Sequence, residues 1–489
     1  MERFNLCSEK WIPVVAKGRV SLFDIFSDFT LKEIAGNAIQ KLSLMKLLFA
    51  IAQRATPVAN TKEWKQLKKE GLAEKCYSYL ENHYDDFYLY GEHPFLQMPK
   101  LRELDVPIKE VFYDFQPDLA SENNTLMREI EAKRILSDAE KAVFVLSLMN
   151  YAPAGKRITS GVSLTDDFKT GKSAKAGPSL GGFVGYLSSF LLGRTILETV
   201  YLNIFTDDLL DAMSIDHDSS ILPPWEQMPE GENTDSARKL KKSLYSWYVA
   251  VSRFVLLEPK GIRYVEGLLY QSKIDDGYYE PYIMINNNTK KALYVDVAKK
   301  PWRQIPALLE ATFNASSNSF KCDAVTLLIQ RARDEVDVFG IWSGGLKVRS
   351  NSGDQSVKQD DDYVESSVFF DSALFDEPYY EALQKEFKTI EKFANQLKFA
   401  VDHYYEDMGM KSNSIISRAV ADYWFNCDAL SAKIIGLCED EIAIANINND
   451  VWSYLLTVYD NYCPAESASQ TIAWAKNRPQ RKKEETENG

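Results

Sequence analysis

The sequence predicts an α+β fold, in which a large mixed N-terminal globular domain precedes a C-terminal four-helix bundle. Near the start, residues 11–14 and 19–23 are rich in β-branched and aromatic side chains and flank a turn, which predicts two short strands. Near the end, apolar residues recur at intervals of three and four over residues 380–401, and Gly409 follows them. That spacing is typical of a long amphipathic helix.

Further segments repeat the amphipathic pattern after that helix. They are residues 415–438, 451–459 and 465–475. The short connections between them favour a helical bundle. The charged residues that follow have the composition of a disordered tail. The predicted divisions of the chain are residues 1–368 for the mixed domain, 369–477 for the bundle and 478–489 for the tail.

Other N-terminal segments also carry interpretable patterns. Helical spacing over residues 42–52 predicts a helix that ends before Pro57, because a proline disfavours helical geometry in the residue before it. A second helix is predicted over residues 138–149. The uncharged run 176–193 is diluted by glycine and serine and falls short of the roughly 20 apolar residues of a membrane span. We interpret this run as a buried core helix.

The composition limits the classes of function. The chain has 489 residues and a formal net charge of −13, so its average surface should repel nucleic acid, and any DNA contact must come from local basic loops. The six cysteines include no CxxC pair, so we expect reduced, buried thiols instead of disulfides or a zinc site. The first residues lack the pattern of a signal peptide, which favours a cytoplasmic protein.

A search for catalytic motifs finds none in the sequence. The four histidines show no metal-binding spacing. Gly171-Lys172-Ser173 is similar to the end of a phosphate-binding loop, but Asp166 occupies the position of the required glycine. The acidic run Asp360-Asp361-Asp362 is more typical of a solvated surface than of a metal site. We therefore predict no catalytic residue, no metal site and no cofactor.

Two polar segments suit nucleic acid better. Residues 156–175 combine lysines with glycines, which let a backbone approach a duplex closely, although a plain surface loop explains them equally well. The second segment runs from Ser343 to Gln355. A strand predicted at residues 338–342 leads into it, and the segment itself is predicted to form a turn and a polar hairpin. Its Asn and Gln amides can read base edges and its cations can hold phosphates, but an ordinary solvated hairpin has the same composition.

Four pieces of the sequence, taken in order, carry a resemblance to a known family. They are Asn5-Leu6 with Trp11-Ile12-Pro13-Val14, Glu92-His93-Pro94-Phe95-Leu96-Gln97, Ala120-Ser121-Glu122-Asn123-Asn124-Thr125-Leu126, and Trp342-Ser343-Gly344-Gly345-Leu346. Together with the C-terminal helices, they resemble the CasA family, the large subunit of the type I-E CRISPR surveillance complex called Cascade. The matching pieces are spread over most of the chain before Asp371.

The resemblance implies a function without a catalytic site. Members of the family recognise the protospacer-adjacent motif (PAM) in double-stranded DNA, start to open the duplex and help to recruit a helicase-nuclease effector. The implied partners are the other Cascade subunits, crRNA and double-stranded target DNA, with no membrane. Family members read the motif largely through the minor groove, which distinguishes mainly A·T from G·C, so we expect tolerance of several motifs.

The resemblance also implies which residues contact DNA. The family's wedge hairpin is similar to the segment from Arg349 to Gln355, with Gln355 as the inserted amide and Asn351 beside it. The other implied motif contacts are Gly155 and Lys156, in a glycine loop, and Lys273, as the motif-reading lysine.

A further family loop contacts the motif-side nucleic acid and the crRNA end. It corresponds here to Asn123, Asn124, Thr125 and Leu126. Leu126 replaces the aromatic residue often found in the family, which affects the expected motif preference.

Two alternatives to this function remain open. One is a protein-interaction scaffold of another assembly, with the helical bundle as its docking surface and no direct DNA contact. A weaker one is a hydrolase that uses the acidic groups near Asp360.

Overall fold

The computed structural model describes residues 4–104, 106–108, 136–152, 163–165, 185–270, 280–314, 320–351, 354–356 and 362–481. Its helices are α1 (Leu22–Ile25), α2 (Ala38–Ala55), α3 (Thr61–Asn82), α4 (Lys100–Glu103), α5 (Asp138–Tyr151), α6 (Ile196–Leu202), α7 (Asp207–Ala212), α8 (Asp235–Lys242), α9 (Tyr245–Tyr248), α10 (Ile305–Phe313), α11 (Asp323–Glu335), α12 (Glu377–Asp407), α13 (Asn413–Asp428), α14 (Ser431–Gly436), α15 (Glu441–Tyr462) and α16 (Ala468–Asn477). Short 3₁₀ helices cover Tyr84–Phe87 and Pro301–Gln304.

The strands are β1 (Ile12–Val14), β2 (Gly18–Val20), β3 (Ser188–Leu192), β4 (Val255–Glu258), β5 (Gly261–Tyr264), β6 (Ile285–Asn286), β7 (Lys291–Ala292), β8 (Phe320–Lys321), β9 (Val338–Leu346), β10 (Arg349–Asn351), β11 (Asp354–Ser356) and β12 (Tyr363–Asp371). They form small sheets of two or three strands. This mixture of helices and small sheets confirms the predicted α+β class.

The first two strands form as the sequence predicts. β1 and β2 pair antiparallel, with Ile12 opposite Val20. The prediction of a strand is wrong for residues 21–23, because the Ser21 side chain accepts a hydrogen bond from the backbone N–H of Asp24 and caps α1, to which residues 22 and 23 belong. Trp11 is fully buried and donates its indole N–H to the Leu6 carbonyl at 2.9 Å. The family-like piece that contains Leu6 and Trp11 therefore stabilises the hydrophobic core.

Helix α2 lies in the core of the N-terminal unit. It confirms the helix predicted over residues 42–52 and ends at Ala55, shortly before Pro57. The ring of Phe49 in α2 contacts Phe190 and Tyr282, with ring centroids 5.6 and 5.8 Å away. The helix predicted over residues 138–149 is confirmed as α5, which packs against α2.

A pair of a lysine and a glutamate lies inside this core. Lys46 of α2 is 2% exposed and pairs with Glu280, which is 4% exposed. Burial lowers the pKa of Lys46, and the Glu280 carboxylate opposes that shift. The Lys46 ammonium also lies 5.1 Å from the centre of the Tyr151 ring, at the end of α5. Because a buried charge without its partner is strongly unfavourable, this pair ties Glu280 to α2.

The uncharged run 176–193 is described only from residue 185 onward, and residues 185–193 do not form the predicted core helix. Its described part contains β3, which pairs antiparallel with β9 from Ser188 opposite Gly344 to Leu192 opposite Gly340. Most of β3 is buried on both faces. A strand buried on both faces needs no polar alternation, so a short apolar run does not distinguish such a strand from a buried helix.

Strand β9 continues through residues 343–346, where the sequence predicts the start of a turn, and ends at Leu346. It is the central strand of a sheet ordered β12-β9-β3. A Cβ atom on Gly344 would lie 2.7 Å from the Trp342 ring, and one on Gly345 would lie 2.8 Å from the Tyr186 carbonyl oxygen. The two glycines therefore permit close packing within a buried strand, and the prediction of a turn there is wrong.

The contacts divide the chain into two compact units. One comprises Met1–Pro301 with Glu310–Ser367, and the other comprises Trp302–Leu309 with Val368–Gly489. In the second unit, α12 packs against α13, α15 and α16. The long helix predicted over residues 380–401 is confirmed as α12, and Gly409 follows it with φ +68°. The predicted segment 415–438 contains two helices, α13 and α14, instead of one.

The cysteines are all free and buried, as the sequence predicts. Burial raises the pKa of Cys76 and Cys322, so these thiols stay protonated at neutral pH. Within the described part of the chain, no helix is both long enough and apolar enough to cross a membrane.

We expect Gly345→Ala to lower the free energy of unfolding by about 1–3 kcal/mol, because the added methyl group would press on the Tyr186 carbonyl and on Val295. Chemical denaturation followed by tryptophan fluorescence measures the loss. Gly436→Ala, at the end of α14, is a matched control because nothing lies within 4 Å of its added Cβ. The control should be neutral or slightly stabilising. Equal stability of the two variants would contradict the packing argument.

Candidate nucleic-acid interface

A short β-hairpin occupies the position of the sequence-predicted wedge. β10 and β11 pair antiparallel, with Arg349 opposite Ser356, Ser350 opposite Gln355 and Asn351 opposite Asp354. Asn351 and Gln355 belong to adjacent cross-strand pairs of this hairpin. Residues 352–353, between the strands, lie outside the described residues.

The hairpin lies between two neighbouring strands of the buried sheet. The chain leaves β9 at Leu346 and returns into β12 at Tyr363. The Lys347 backbone N–H donates to the Asp362 carbonyl oxygen at 3.1 Å, which joins the two strands at the base of the hairpin. Because β9 also pairs with β3 over residues 340–344, the base of the hairpin is held by a rigid element.

A pair of serine hydroxyl groups links β9 to β3 below the hairpin. The Ser343 and Ser189 oxygens lie 2.8 Å apart, and both side chains are buried. Ser343 is 3% exposed, so it does not present a side chain to DNA. The predicted DNA-contacting segment, Ser343 to Gln355, is therefore corrected at its start: its first residues belong to the core.

A second network joins β9, β12 and α2. Trp342 stacks on Phe190 with ring centroids 4.9 Å apart, and its indole N–H donates to Glu365 at 3.0 Å. Glu365 also accepts a hydrogen bond from the Lys41 ammonium at 3.0 Å. Burial opposes the charge of Lys41, but the hydrogen bonds to Glu33 and Glu365 hold the pKa of Lys41 above its ordinary value.

The base of the hairpin carries cationic side chains. Lys347 and Arg349 are both partly exposed there. Cations of this kind contact phosphate groups and fix the register of a protein on a duplex without reading its sequence. Because the whole chain has a formal net charge of −13, such local cations matter more than the average field.

The remaining sequence-predicted site residues lie outside the described residues. They are Asn123, Asn124, Thr125, Leu126, Gly155, Lys156 and Lys273. Asp360 and Asp361, which the hydrolase alternative requires, lie outside them too. Over the described ranges, no group of three or more His, Cys, Asp and Glu side chains is arranged to hold a metal ion.

Sequence reasoning missed the groups that support the hairpin. Ser189 precedes Ser343 by 154 positions, and Lys41 precedes Glu365 by 324 positions. No local pattern marks such partners, because each side chain alone is compatible with an exposed surface. The position of Trp342 in the family-like piece 342–346 is the nearest signal in the sequence.

Comparison with known families assigns this fold. The sequence model of CRISPR-associated protein Cse1 matches residues 5–456. The chain belongs to the CRISPR-associated Cse1 family. The resemblance to the CasA family is thereby confirmed, since the curated relative is described under both names: CRISPR-associated protein CasA/Cse1 of Thermus thermophilus is 23% identical over 497 residues, which cover 92% of this chain and 90% of the relative.

Solved structures share the fold of this Cse1-family chain. Thermobifida fusca Cse1 superposes with a TM-score of 0.74 at 19% identity and covers 97% of both chains. A chain from a structure described as a CRISPR RNA-guided surveillance complex superposes with a TM-score of 0.67 at 17% identity, over 97% of this chain and 99% of that one. The mixed architecture is thus that of known Cse1 structures.

We expect Ser343→Ala to lower the free energy of unfolding by about 1–3 kcal/mol, because it leaves the buried Ser189 hydroxyl without this partner. The double variant Ser189→Ala/Ser343→Ala removes both groups and should lose less than the sum of the single variants. Urea denaturation of the three variants and the wild type completes the cycle. Strictly additive losses would show that the two hydroxyl groups do not interact.

Proposed function

We propose that this chain is the large, non-catalytic subunit of a crRNA-guided type I-E surveillance complex in the cytoplasm. In this role it recognises the PAM in double-stranded DNA, starts to unwind the duplex with a wedge hairpin and helps to recruit the helicase-nuclease effector. Its partners are the other Cascade subunits, crRNA and target DNA. Membership of the Cse1 family supports the assembly, and a structural relative is described as part of an RNA-guided surveillance complex.

The observation that carries the proposal is the hairpin of β10 and β11 between β9 and β12. A wedge must resist the stacked bases that it separates, and unstacking costs roughly a few kcal/mol per base step. The pairing of β9 with β3 and the Trp342 contact with Glu365 supply a stiff base. A short hairpin on such a base is better suited to separating the two strands of a duplex than to binding the intact duplex.

The negative charge of the chain supports a function that needs the other subunits of the complex. With a formal net charge of −13, the isolated subunit should bind DNA weakly. Guide pairing that follows the first opening offsets the cost of unstacking, because the RNA–DNA heteroduplex replaces a DNA duplex of similar stability. Recognition of the motif therefore depends on assembly with the crRNA-bearing subunits.

Substitution of both amides in the hairpin tests the wedge. In the assembled complex, Asn351→Ala/Gln355→Ala should slow duplex opening by about tenfold or more while initial association changes little, because the amides act only between separated bases. A 2-aminopurine base next to the motif reports opening, and the salt-dependent binding rate reports association.

The matched control for that experiment is Gln227→Ala/Asn288→Ala, which removes the same two amide types from exposed positions that do not belong to the hairpin. It should leave both rates unchanged. Equal loss of opening and association in the hairpin variant, or loss of neither, would count against the wedge assignment.

Motif recognition is tested with duplexes that differ only at the motif. A gel shift with the guide-loaded complex should show tighter binding to motif duplexes, with several A·T-containing or related motifs tolerated, because the minor groove offers a degenerate pattern. Indifference to the motif would instead favour the scaffold function, in which the chain organises other subunits and makes no direct DNA contact.

A further inference from the structure

The second compact unit contains a groove that is lined mainly by α12 and α15. Its volume is about 780 Å³. On α12, Glu386, Phe393 and Gln396 recur at intervals of seven and three residues, so they share one face of the helix. On α15, Asn448 and Trp452 lie about one turn apart. All five side chains line the groove.

A buried carboxylate belongs to this lining. Glu386 is 4% exposed, and its Oε2 atom accepts a hydrogen bond from the Asn448 amide at 3.1 Å. Its Oε1 atom is buried and accepts no hydrogen bond from the described residues. Burial raises the pKa of Glu386, and the Asn448 hydrogen bond and the charge of Lys385 oppose that shift without outweighing it. The carboxylate thus lacks a cation that would offset its burial.

Two amide oxygens in the groove also lack donors. Asn448 Oδ1 and Gln396 Oε1 are buried, and neither forms a hydrogen bond with any residue that the structure describes. A buried acceptor without a donor is unfavourable. The terminal torsions of Glu, Gln and Asn side chains are soft, so small rotations present these oxygens to a ligand. The groove therefore suits a ligand that is rich in hydrogen-bond donors.

The acceptors lie at two positions along α12. Gln396 follows Glu386 by ten residues, which corresponds to about 15 Å along a helix axis. Phe393 lies between them, and its ring packs edge-on against the ring of Trp452 with centroids 5.1 Å apart. Methylene chains of charged groups pack well against such apolar surface. A linear ligand with a donor group at each end and an apolar middle matches this arrangement.

The exposed charges at the edge of the groove have less effect on its preference. They are Lys385, Lys392, Arg481, Glu439 and Glu441, and all five are exposed. Solvent and salt screen such charges strongly, whereas a buried charge is screened much less. Because the buried charge in the groove is the carboxylate of Glu386, a cation that reaches it gains the most.

We propose that the groove between α12 and α15 binds a linear polyamine. One ammonium group pairs with Glu386 and donates to the Asn448 oxygen. The methylene chain lies against Phe393 and Trp452, and the other ammonium group donates to Gln396. A lysine side chain of a partner protein offers the same chemistry at one end only and leaves the Gln396 oxygen unpaired. The site lies within the second compact unit and does not depend on the proposed function.

Isothermal titration calorimetry of the full-length chain with spermidine tests the site. Physiological ionic strength suppresses general attraction to an acidic chain. The wild type should bind one spermidine per chain. Glu386→Gln keeps the size of the side chain but removes its charge, so it should weaken binding about tenfold or more. Glu391→Gln is the matched control, because it removes the same charge from an exposed position of α12, and it should bind spermidine as the wild type does.

A second variant and a second probe test the two-ended arrangement. Gln396→Ala should weaken spermidine binding several-fold, because one end of the ligand loses its acceptor. Gln396 is half-buried, so this variant keeps the site testable if Glu386→Gln does not fold. Nα-acetyl-lysine methylamide carries one ammonium group, as a partner's lysine does, and should bind at least several-fold more weakly than spermidine.

The outcomes that would overturn the inference are distinct from those that concern DNA. Absence of spermidine binding by the wild type would overturn it outright. Equal weakening by Glu386→Gln and Glu391→Gln would show attraction to the general negative charge only. Binding of the lysine derivative as tight as that of spermidine, or spermidine binding that Gln396→Ala leaves unchanged, would assign the groove to a single ammonium group. None of these results bears on motif recognition or duplex opening.

Discussion

The antiparallel pairing of β3 with β9 is the constraint on which the proposed DNA-opening element depends. The pairing brings Ser188 opposite Gly344 and Leu192 opposite Gly340, so the middle of β9 is fixed before the chain enters the hairpin. The glycines at 344 and 345 make this approach possible, because any Cβ atom there would meet the Trp342 ring or the Tyr186 carbonyl. A hairpin on a flexible strand would bend when it met stacked bases. A hairpin on this strand is supported by the close-packed core, which resists such bending.

Carboxylates paired with lysines recur at the points where distant segments meet. Glu280 pairs with Lys46 in the core, Glu365 with Lys41 beside β9, and Glu232 with Lys241 beside Leu269. Each pair neutralises charge locally. Glu365 and Glu232 also accept a hydrogen bond from a further residue, so each of these carboxylates links more than two residues. In a chain of net charge −13, carboxylates that are paired with lysines add less to the electrostatic repulsion of DNA than unpaired surface carboxylates would.

The hairpin proposed to open the duplex and the flanks of the loops proposed to read the motif have different supports in the same compact unit. The hairpin depends on the buried sheet of β3, β9 and β12, while the described flanking residues, 163–165 and 269–270, are held by Glu266, Glu232 and Ala250. Disturbing one support should therefore leave the other intact.

The sequence by itself determined the local elements of this protein. Helical periodicity predicted α2, α5 and α12, with Pro57 and Gly409 marking the ends of α2 and α12, and the ordered family-like pieces predicted the Cse1 family and the position of the hairpin. These signals succeed because they reside within one element or within one motif. Tertiary structure alone decided that residues 188–192 form a strand and that Gly344 and Gly345 lie inside one, because both depend on burial against neighbours distant in the chain. The junction of Thr165, Glu232 and Leu269 is of the same kind, since hydrogen bonds between residues so far apart leave no local pattern for the sequence to show.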